Sequence, residues 1–131
     1  MEINYYTDLN VWQRSMDLAV TIYQLVKFLP KEELYGLSDQ MRRAVVSIPS
    51  NIAEGKQRNS LKEYIHFLYV ARGSLAELET QTMLCERLGY FRAEQTEPVK
   101  TECKEMGKML NILIKRLLDK LPETRNLKPE T

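Results

Sequence analysis

The stretch GLSDQMRRAVVSIPSNIAEGKQR, residues 36–58, decides the fold class of this chain. Its apolar side chains recur at helical spacing, at Leu37, Met41, Ala44, Val45, Ile48 and Ile52. Pro49 falls inside this pattern, where it removes a backbone N–H donor and crowds the preceding turn. The spacing predicts an amphipathic helix that begins at Leu37 or Ser38, runs through the proline and ends near Lys56.

A polar stripe runs beside the apolar one on the same predicted helix. It consists of Arg43, Ser47, Asn51 and Glu54. Short hydrogen-bonding side chains at this spacing allow two interpretations. They could contact RNA, or they could form a buried hydrogen-bond network that fixes the helix register and compensates for the break at Pro49. We favour the structural network, with Arg72 and Glu79 of the following helix as further members.

Three other segments have the apolar periodicity of helices. The first covers residues 8–28, the third follows a capping box formed by Ser60 and Glu63, and the fourth covers residues 94–121. The predicted buried positions are Trp12, Met16, Ala19, Ile22, Tyr23, Val26 and Leu29 in the first, Tyr64, Leu68, Ala71, Leu75, Leu78, Thr82 and Cys85 in the third, and Val99, Cys103, Met106, Leu110, Leu113, Leu117 and Lys120 or Leu121 in the fourth.

Four amphipathic helices with short connections predict an all-α protein, folded as an antiparallel up-down four-helix bundle. The chain of 131 residues is long enough for one such domain, which we assign to residues 1–121. The polar segment 122–131 is predicted to be a disordered tail. Met109 and Ile112 form a second apolar strip on the fourth helix that a single bundle core does not need, so we expect the protein to form an oligomer.

The composition limits the classes of function. With 44% hydrophobic and 28% charged residues and a net charge of +1, any contact with nucleic acid must depend on local patches. The sequence shows neither a signal peptide nor an apolar run of the ~18 residues that cross a bilayer, so we expect a cytoplasmic protein without membrane contact. Cys85 and Cys103 are predicted to be free thiols in the core.

Little in the sequence points to catalysis. Glu63 and His66 match the Glu-x-x-His element of di-iron bundles, but such a site needs two of these elements and two further inward-facing carboxylates. His66 is the only histidine of the chain. Glycine-rich phosphate loops, Cys-x-x-Cys pairs and nucleophile elbows are absent from the sequence. We therefore expect no enzymatic activity, no catalytic residues, no metal and no cofactor.

Basic side chains are the stronger functional signal. Lys100, Lys104, Lys108 and Lys115 share one side of the fourth helix, and Arg42, Arg58 and Lys62 add positive charge around the second and third. Repeated by symmetry, these residues are candidate contacts to the phosphates of RNA or DNA. The alternative is a solvated face with intrahelical ion pairs, such as Glu105 with Lys108. We predict no aromatic stacking platform, because Trp12 and most tyrosines fall on core-facing positions.

Several segments resemble the four-helix-bundle family of 23S rRNA intervening-sequence proteins and the related accessory variability determinant of diversity-generating retroelements. They are DLNVWQRSMDL (8–18), YGLSDQMRRAVVSIPSNIAEG (35–55), Arg58 with Ser60, EYIHFLYVARGSLAELETQ (63–81) and LGY (88–90). The resemblance covers residues 8–121, and SIPSNIAEG is its most specific piece. It implies an up-down bundle assembled as a homopentamer, and it provides no catalytic residues.

The expected function follows from the basic residues and the resemblance together. It is that of a non-enzymatic oligomer that binds the phosphate backbone of RNA or DNA. Its expected partners are copies of itself, nucleic acid, and a reverse transcriptase or another enzyme that acts on nucleic acid. The alternative is an interaction scaffold for a polymerase or reverse transcriptase that does not itself bind nucleic acid.

Overall fold

The fold is all-α, as predicted. The computed structural model describes residues 5–121, and within them there are four α-helices and no strand: α1 (Asn10–Leu25), α2 (Leu37–Lys56), α3 (Leu61–Arg87) and α4 (Ala93–Asp119). Single 3-10 turns occupy Tyr6–Asp8, Val26–Phe28 and Lys31–Glu33. None of the helices in this range is long and apolar enough to cross a membrane. The predicted tail at 122–131 lies outside the described residues.

The helices form an antiparallel up-down bundle. Each packs against its neighbours in the order α1, α2, α3, α4 and back to α1. In the described residues, no Cα atoms of the diagonal pairs, α1 with α3 and α2 with α4, lie within 8 Å of each other. The start of α2 lies against the end of α3, where the Cys85 Sγ is 3.8 Å from the Met41 Sδ. Arg14 of α1 reaches Glu102 of α4 through two hydrogen bonds of 2.8 and 2.6 Å, which ties the first helix to the last.

The predicted cores of α2 and α3 are confirmed, since all thirteen positions expected to be buried are buried. The Ser60 hydroxyl accepts a 3.3 Å hydrogen bond from the Glu63 backbone N–H and caps α3. Gly89, with φ at 81°, follows the end of α3 and adopts the left-handed conformation that glycine tolerates. At the other end of α3, a Cβ placed on Gly55 would lie 2.9 Å from the Phe67 Cβ, so α2 and α3 approach closely there.

Ile22, Val26 and Leu29 are buried as predicted, but the first half of the buried stripe predicted for α1 is wrong by one residue. Its buried residues are Val11, Ser15, Leu18, Ile22 and Leu25, whereas Met16 and Tyr23 are 43% and 45% exposed. Ser15 can occupy the core because its hydroxyl donates a 2.6 Å hydrogen bond to the Trp12 carbonyl, which satisfies the buried polar group.

On α4, Ile114 is buried in place of the predicted Leu113, which only packs against the edge of the core. The other predicted core positions from Val99 to Leu117 are buried, and Leu121 completes the row. Cys85 and Cys103 are free and buried, as predicted. Burial raises the pKa of the Cys85 thiol to about 11 and that of the Cys103 thiol to about 12, so both remain protonated at neutral pH.

Candidate nucleic-acid interface

The four lysines predicted to share one side of α4 differ in exposure and in their acidic partners. The Lys100 side chain is only 22% exposed, and its Nζ lies 3.2 Å from Glu86 Oε1 and 3.6 Å from Glu97 Oε2. Lys108 is exposed, with its Nζ 3.8 Å from Glu105 Oε2, the pair that its spacing predicts. Lys104 and Lys115 are exposed, and neither pairs with an acidic side chain within residues 5–121.

Lys100 belongs to a hydrogen-bonded cluster at the connection between α3 and α4. The buried Thr96 donates its hydroxyl to Glu86 Oε1 at 2.7 Å, beside the bond from Lys100. These hydrogen bonds from Thr96 and Lys100 hold the pKa of the Glu86 carboxyl below its ordinary value, and the bond to Glu86 raises the pKa of Lys100. We therefore assign Lys100 to this cluster and not to the candidate interface.

Lys104 and Lys108 border a groove between α3 and α4, which we call the α3–α4 groove. Its volume is about 440 Å³, and Leu75 and Cys103 contribute to its wall. The groove stays open because small residues line both helices. A Cβ on Gly107 would meet only the Leu75 Cδ2 at 3.9 Å. The charged residues that line it are Arg72, Lys104 and Lys108, together with Glu79 and Glu105.

Arg72 contributes to the α3–α4 groove a guanidinium group whose orientation is fixed by its neighbours. Its guanidinium carbon lies 4.8 Å from the centre of the Tyr69 ring, and its Nη1 donates a 2.9 Å hydrogen bond to Asn111 Oδ1. No acidic side chain of the described residues pairs with it. Stacking fixes the orientation of the guanidinium and leaves its remaining N–H groups free for a phosphate.

The expectation that most tyrosines face the core is wrong. Tyr69 is 40% exposed, and it is joined by three more tyrosines with large exposed fractions: Tyr5, Tyr23 and Tyr35. Only Tyr69 of these four lies beside Arg72. Sequence analysis missed Tyr69 because it directly follows Leu68, a fully buried residue of the core seam.

The remaining predicted contacts lie elsewhere on the bundle. Arg42, near the start of α2, lines a different groove. Arg58 is held at the other end of α2, where its Nη2 lies 2.6 Å from Glu54 Oε2 and its guanidinium lies 5.0 Å from the centre of the Phe67 ring. Lys62 is exposed in the first turn of α3. The structure thus does not bring these three together with the lysines of α4.

The polar stripe of α2 is only partly a network. The Ser47 hydroxyl lies 2.8 Å from the Ser74 hydroxyl of α3, and Asn51 Nδ2 donates to the Ser47 carbonyl at 2.7 Å and to its hydroxyl at 2.9 Å. The Ser47–Ser74 bond joins α2 to α3, and the two Asn51 bonds span Pro49 within α2. Arg43 instead pairs with Asp39 at 3.0 Å.

The other residues expected in that network have separate partners or positions. Glu54 pairs with Arg58 on the surface. Arg72 and Glu79 lie on the α4 side of α3 and line the α3–α4 groove. Six residues predicted as one network are therefore divided between a serine–asparagine cluster, surface ion pairs and the groove.

Glu63 and His66 are not brought together as a metal site. Glu63 lies 3.6 Å from the Arg58 guanidinium, and the exposed His66 ring packs edge-on against Phe67 at 5.4 Å. Across residues 5–121, no cluster of three or more histidine, cysteine or acidic side chains is placed to hold a metal ion.

The fold and the groove together define a small helical-bundle protein with an open, cation-lined surface between its two longest helices. Residues 7–112 match the family described as 23S rRNA-intervening sequence protein, and the chain belongs to this family. It is similar to a protein from Bacteroides thetaiotaomicron VPI-5482, described as a protein with unknown function from the S23 ribosomal protein family. The two sequences are 33% identical, and the match covers 80% of this chain and 98% of the chain in that crystal structure. The TM-score is 0.75. No curated protein matches the chain significantly.

Proposed function

We propose that this protein is a non-enzymatic accessory factor that binds the phosphate backbone of RNA or DNA as a homo-oligomer in the cytoplasm. The observation that carries the proposal is a set of cations without acidic partners on one side of the described bundle. These are Arg72, Lys104 and Lys115, with the exposed Lys108 between the two lysines.

The chemistry of the α3–α4 groove favours phosphate contacts over base reading. Lysine presents a mobile point charge, and the stacked Arg72 presents a planar donor, so both suit phosphate oxygens. An unpaired base could stack on Tyr69 or on the Arg72 guanidinium, and such stacking does not depend on base identity. The expected binding is therefore weakly specific and strongly dependent on salt.

Assembly is supported by two apolar faces that no other part of the described bundle covers. The outer face of α1 exposes Met16, Val20 and Tyr23. The outer face of α3 exposes Tyr69, Val70, Met83 and Leu84. Because α1 and α3 are diagonal helices, these two faces lie on opposite sides of the protomer. Such an arrangement favours head-to-tail contact between copies, which forms a ring when the rotation closes.

Gly73 adds a reason for close contact at the outer face of α3. A Cβ built on it would meet nothing within 4 Å, so no contact within the described chain requires a glycine. A glycine inside a helix costs about 0.5–1 kcal/mol relative to alanine. A neighbouring copy whose helix approaches at this point would account for it. The number of five copies rests on the family resemblance alone.

The proposal is tested with a double charge reversal, Lys104→Glu with Lys108→Glu. Binding of fluorescein-labelled single-stranded RNA, duplex RNA and duplex DNA is measured by fluorescence anisotropy. We expect affinity for the preferred nucleic acid to fall by at least about tenfold, since two phosphate contacts become repulsive. The matched control is Lys31→Glu with Arg42→Glu, which makes the same charge change at the other groove. Unchanged affinity in the first variant, or equal losses in both, would contradict the proposal.

A second candidate function is that of a scaffold for a polymerase or reverse transcriptase, without direct contact to nucleic acid. The exposed apolar faces of α1 and α3 favour it, because exposed apolar patches mark protein interaction sites. A partner that remains bound after nuclease treatment, from a protein that binds no labelled nucleic acid, supports the scaffold over the phosphate-binding proposal.

A further inference from the structure

A second groove lies where α1 meets the start of α2, at the opposite end of the bundle from Arg58 and Lys62. We call it the α1–α2 groove. Its volume is about 440 Å³, within the range of roughly 300–1,000 Å³ that ligand sites occupy. Val26, Leu29, Pro30 and Leu34 provide an aliphatic lining. These residues come from the connection between the two helices, which the 3-10 turns Val26–Phe28 and Lys31–Glu33 shape.

Three cations border this apolar surface. Lys27, Lys31 and Arg42 line the α1–α2 groove, and none of them pairs with an acidic side chain in the part of the chain that the structure describes. No acidic residue lines the groove itself. Two neighbouring carboxylates are engaged elsewhere. Glu33 accepts bonds from the Tyr90 hydroxyl and the Leu37 backbone N–H, and Asp39 pairs with Arg43.

The apolar surface continues beyond the groove. Phe28 lies between Val26 and Leu29 in the sequence, Tyr35 directly follows Leu34, and the two are 68% and 90% exposed. An exposed apolar patch bordered by charge is typical of a protein interaction site. Apart from Tyr23, the apolar lining of the groove is aliphatic, and an aliphatic floor favours leucine-like side chains as occupants over stacked nucleic-acid bases. A small anionic molecule would cover the groove but leave Phe28 and Tyr35 in water.

We propose that the α1–α2 groove is a docking site for an acidic amphipathic helix of a partner protein. The partner's apolar side chains occupy the aliphatic floor, and its carboxylates pair with Lys27, Lys31 and Arg42. This is the helix-in-groove mode of recognition, in which apolar anchors provide affinity and charge provides selection. The inference stands apart from phosphate binding, because it uses no residue of the α3–α4 groove.

The first experiment uses synthetic helical peptides of roughly 16 residues, long enough for partial helicity. The acidic probe carries leucines at helical spacing on one face and glutamates on both flanks, with a fluorescein label. One matched peptide replaces the glutamates with lysines, and another replaces the leucines with serines. In fluorescence anisotropy, we expect the acidic probe to bind at least about tenfold more tightly than either matched peptide. No binding of the acidic probe, or equal binding of all three, would overturn the proposal.

The second experiment locates the site on the protein. The variant Lys31→Glu with Arg42→Glu is expected to lose at least about tenfold in affinity for the acidic probe, whereas Lys104→Glu with Lys108→Glu keeps it. Circular dichroism confirms that both variants are folded. Two results overturn the proposal. If the Lys31/Arg42 variant loses RNA binding and the Lys104/Lys108 variant does not, the α1–α2 groove binds nucleic acid. If the Lys31/Arg42 variant has a smaller mass than the wild type in light scattering, the groove is a contact between copies.

Discussion

Gly55 lies at a close contact between α2 and α3, and replacing it with alanine is a direct test of that packing. The new Cβ would lie 2.9 Å from the Phe67 Cβ and 3.1 Å from both the Cδ1 and the carbonyl oxygen of Tyr64. Two of these three neighbours, the Phe67 Cβ and the Tyr64 carbonyl, are held close to the α3 axis and cannot rotate away. The two helices must therefore separate by several tenths of an ångström.

The expected magnitude follows from two opposing effects. Overpacking of a well-packed core costs about 1–3 kcal/mol, and alanine returns about 0.5–1 kcal/mol through its better helix propensity. The midpoints of these ranges leave a net loss in the free energy of unfolding of about 1 kcal/mol for Gly55→Ala. For a chain of this size such a loss lowers Tm by roughly 3–6 °C.

The control for this prediction is Gly107→Ala on α4. Its Cβ would have only an ordinary contact, 3.9 Å from the Leu75 Cδ2, so the propensity gain of about 0.5–1 kcal/mol should appear as stabilisation. Both variants are unfolded in urea and followed by circular dichroism at equal protomer concentration, because assembly makes stability depend on concentration. A Gly55→Ala protein as stable as the wild type, or changes of the same sign in both variants, would refute the reasoning.

Three further predictions concern assembly, the thiols and the link between α1 and α4. Gly73→Leu should reduce the oligomer mass in light scattering while the helical circular dichroism is retained, and an unchanged mass would exclude close approach at this position. Cys85 and Cys103 should react with Ellman's reagent at pH 8 only after unfolding, because burial raises the pKa of both thiols to about 11 and 12; fast labelling of the folded protein would contradict this. A double-mutant cycle on Arg14→Ala and Glu102→Ala should give a coupling of about 1 kcal/mol, since the bidentate pair is only partly exposed; no coupling would count against it.

The sequence predicted α2 and α3 well because each has an apolar seam that continues along the whole helix. The exposed apolar residues of α3 form only two separate pairs, Tyr69 with Val70 and Met83 with Leu84. Tyr64, Leu68 and Ala71 are buried as their spacing requires, and so are the other members of the α3 seam. The position of Ser60 and Glu63 also located the start of α3 correctly. Where one face of a helix is apolar and the others are polar, periodicity determines which residues enter the core.

The same reasoning failed on α1 because this helix has apolar residues on two faces. Met16 and Tyr23 fit a helical stripe as well as Leu18 and Ile22 do, and the buried Ser15 interrupts the true core seam. Periodicity cannot choose between two apolar faces; packing against α2 and α4 does. The misplaced stripe is itself informative, because it contains residues of the exposed α1 face on which the assembly proposal depends.

The candidate site was only partly predictable for a related reason. Spacing within one helix predicted the row of lysines on α4 and the pair of Lys108 with Glu105. It could not show that Glu86 of α3 engages Lys100, or that Tyr69 and Asn111 orient Arg72. Such contacts join different helices, and a single sequence does not contain the register between them.

The central claim is that an oligomer binds nucleic acid through phosphate contacts at the α3–α4 groove. Its most direct test is the salt dependence of binding for protein whose mass has been fixed by light scattering. Affinity for labelled single-stranded RNA is measured between about 50 mM and about 200 mM salt. If Arg72, Lys104 and Lys108 each neutralise a phosphate, log K should fall against log salt with a slope of about −2 for every protomer engaged. An oligomer that binds with this slope agrees with the account, and no binding at low salt, or binding that is insensitive to salt, would contradict it.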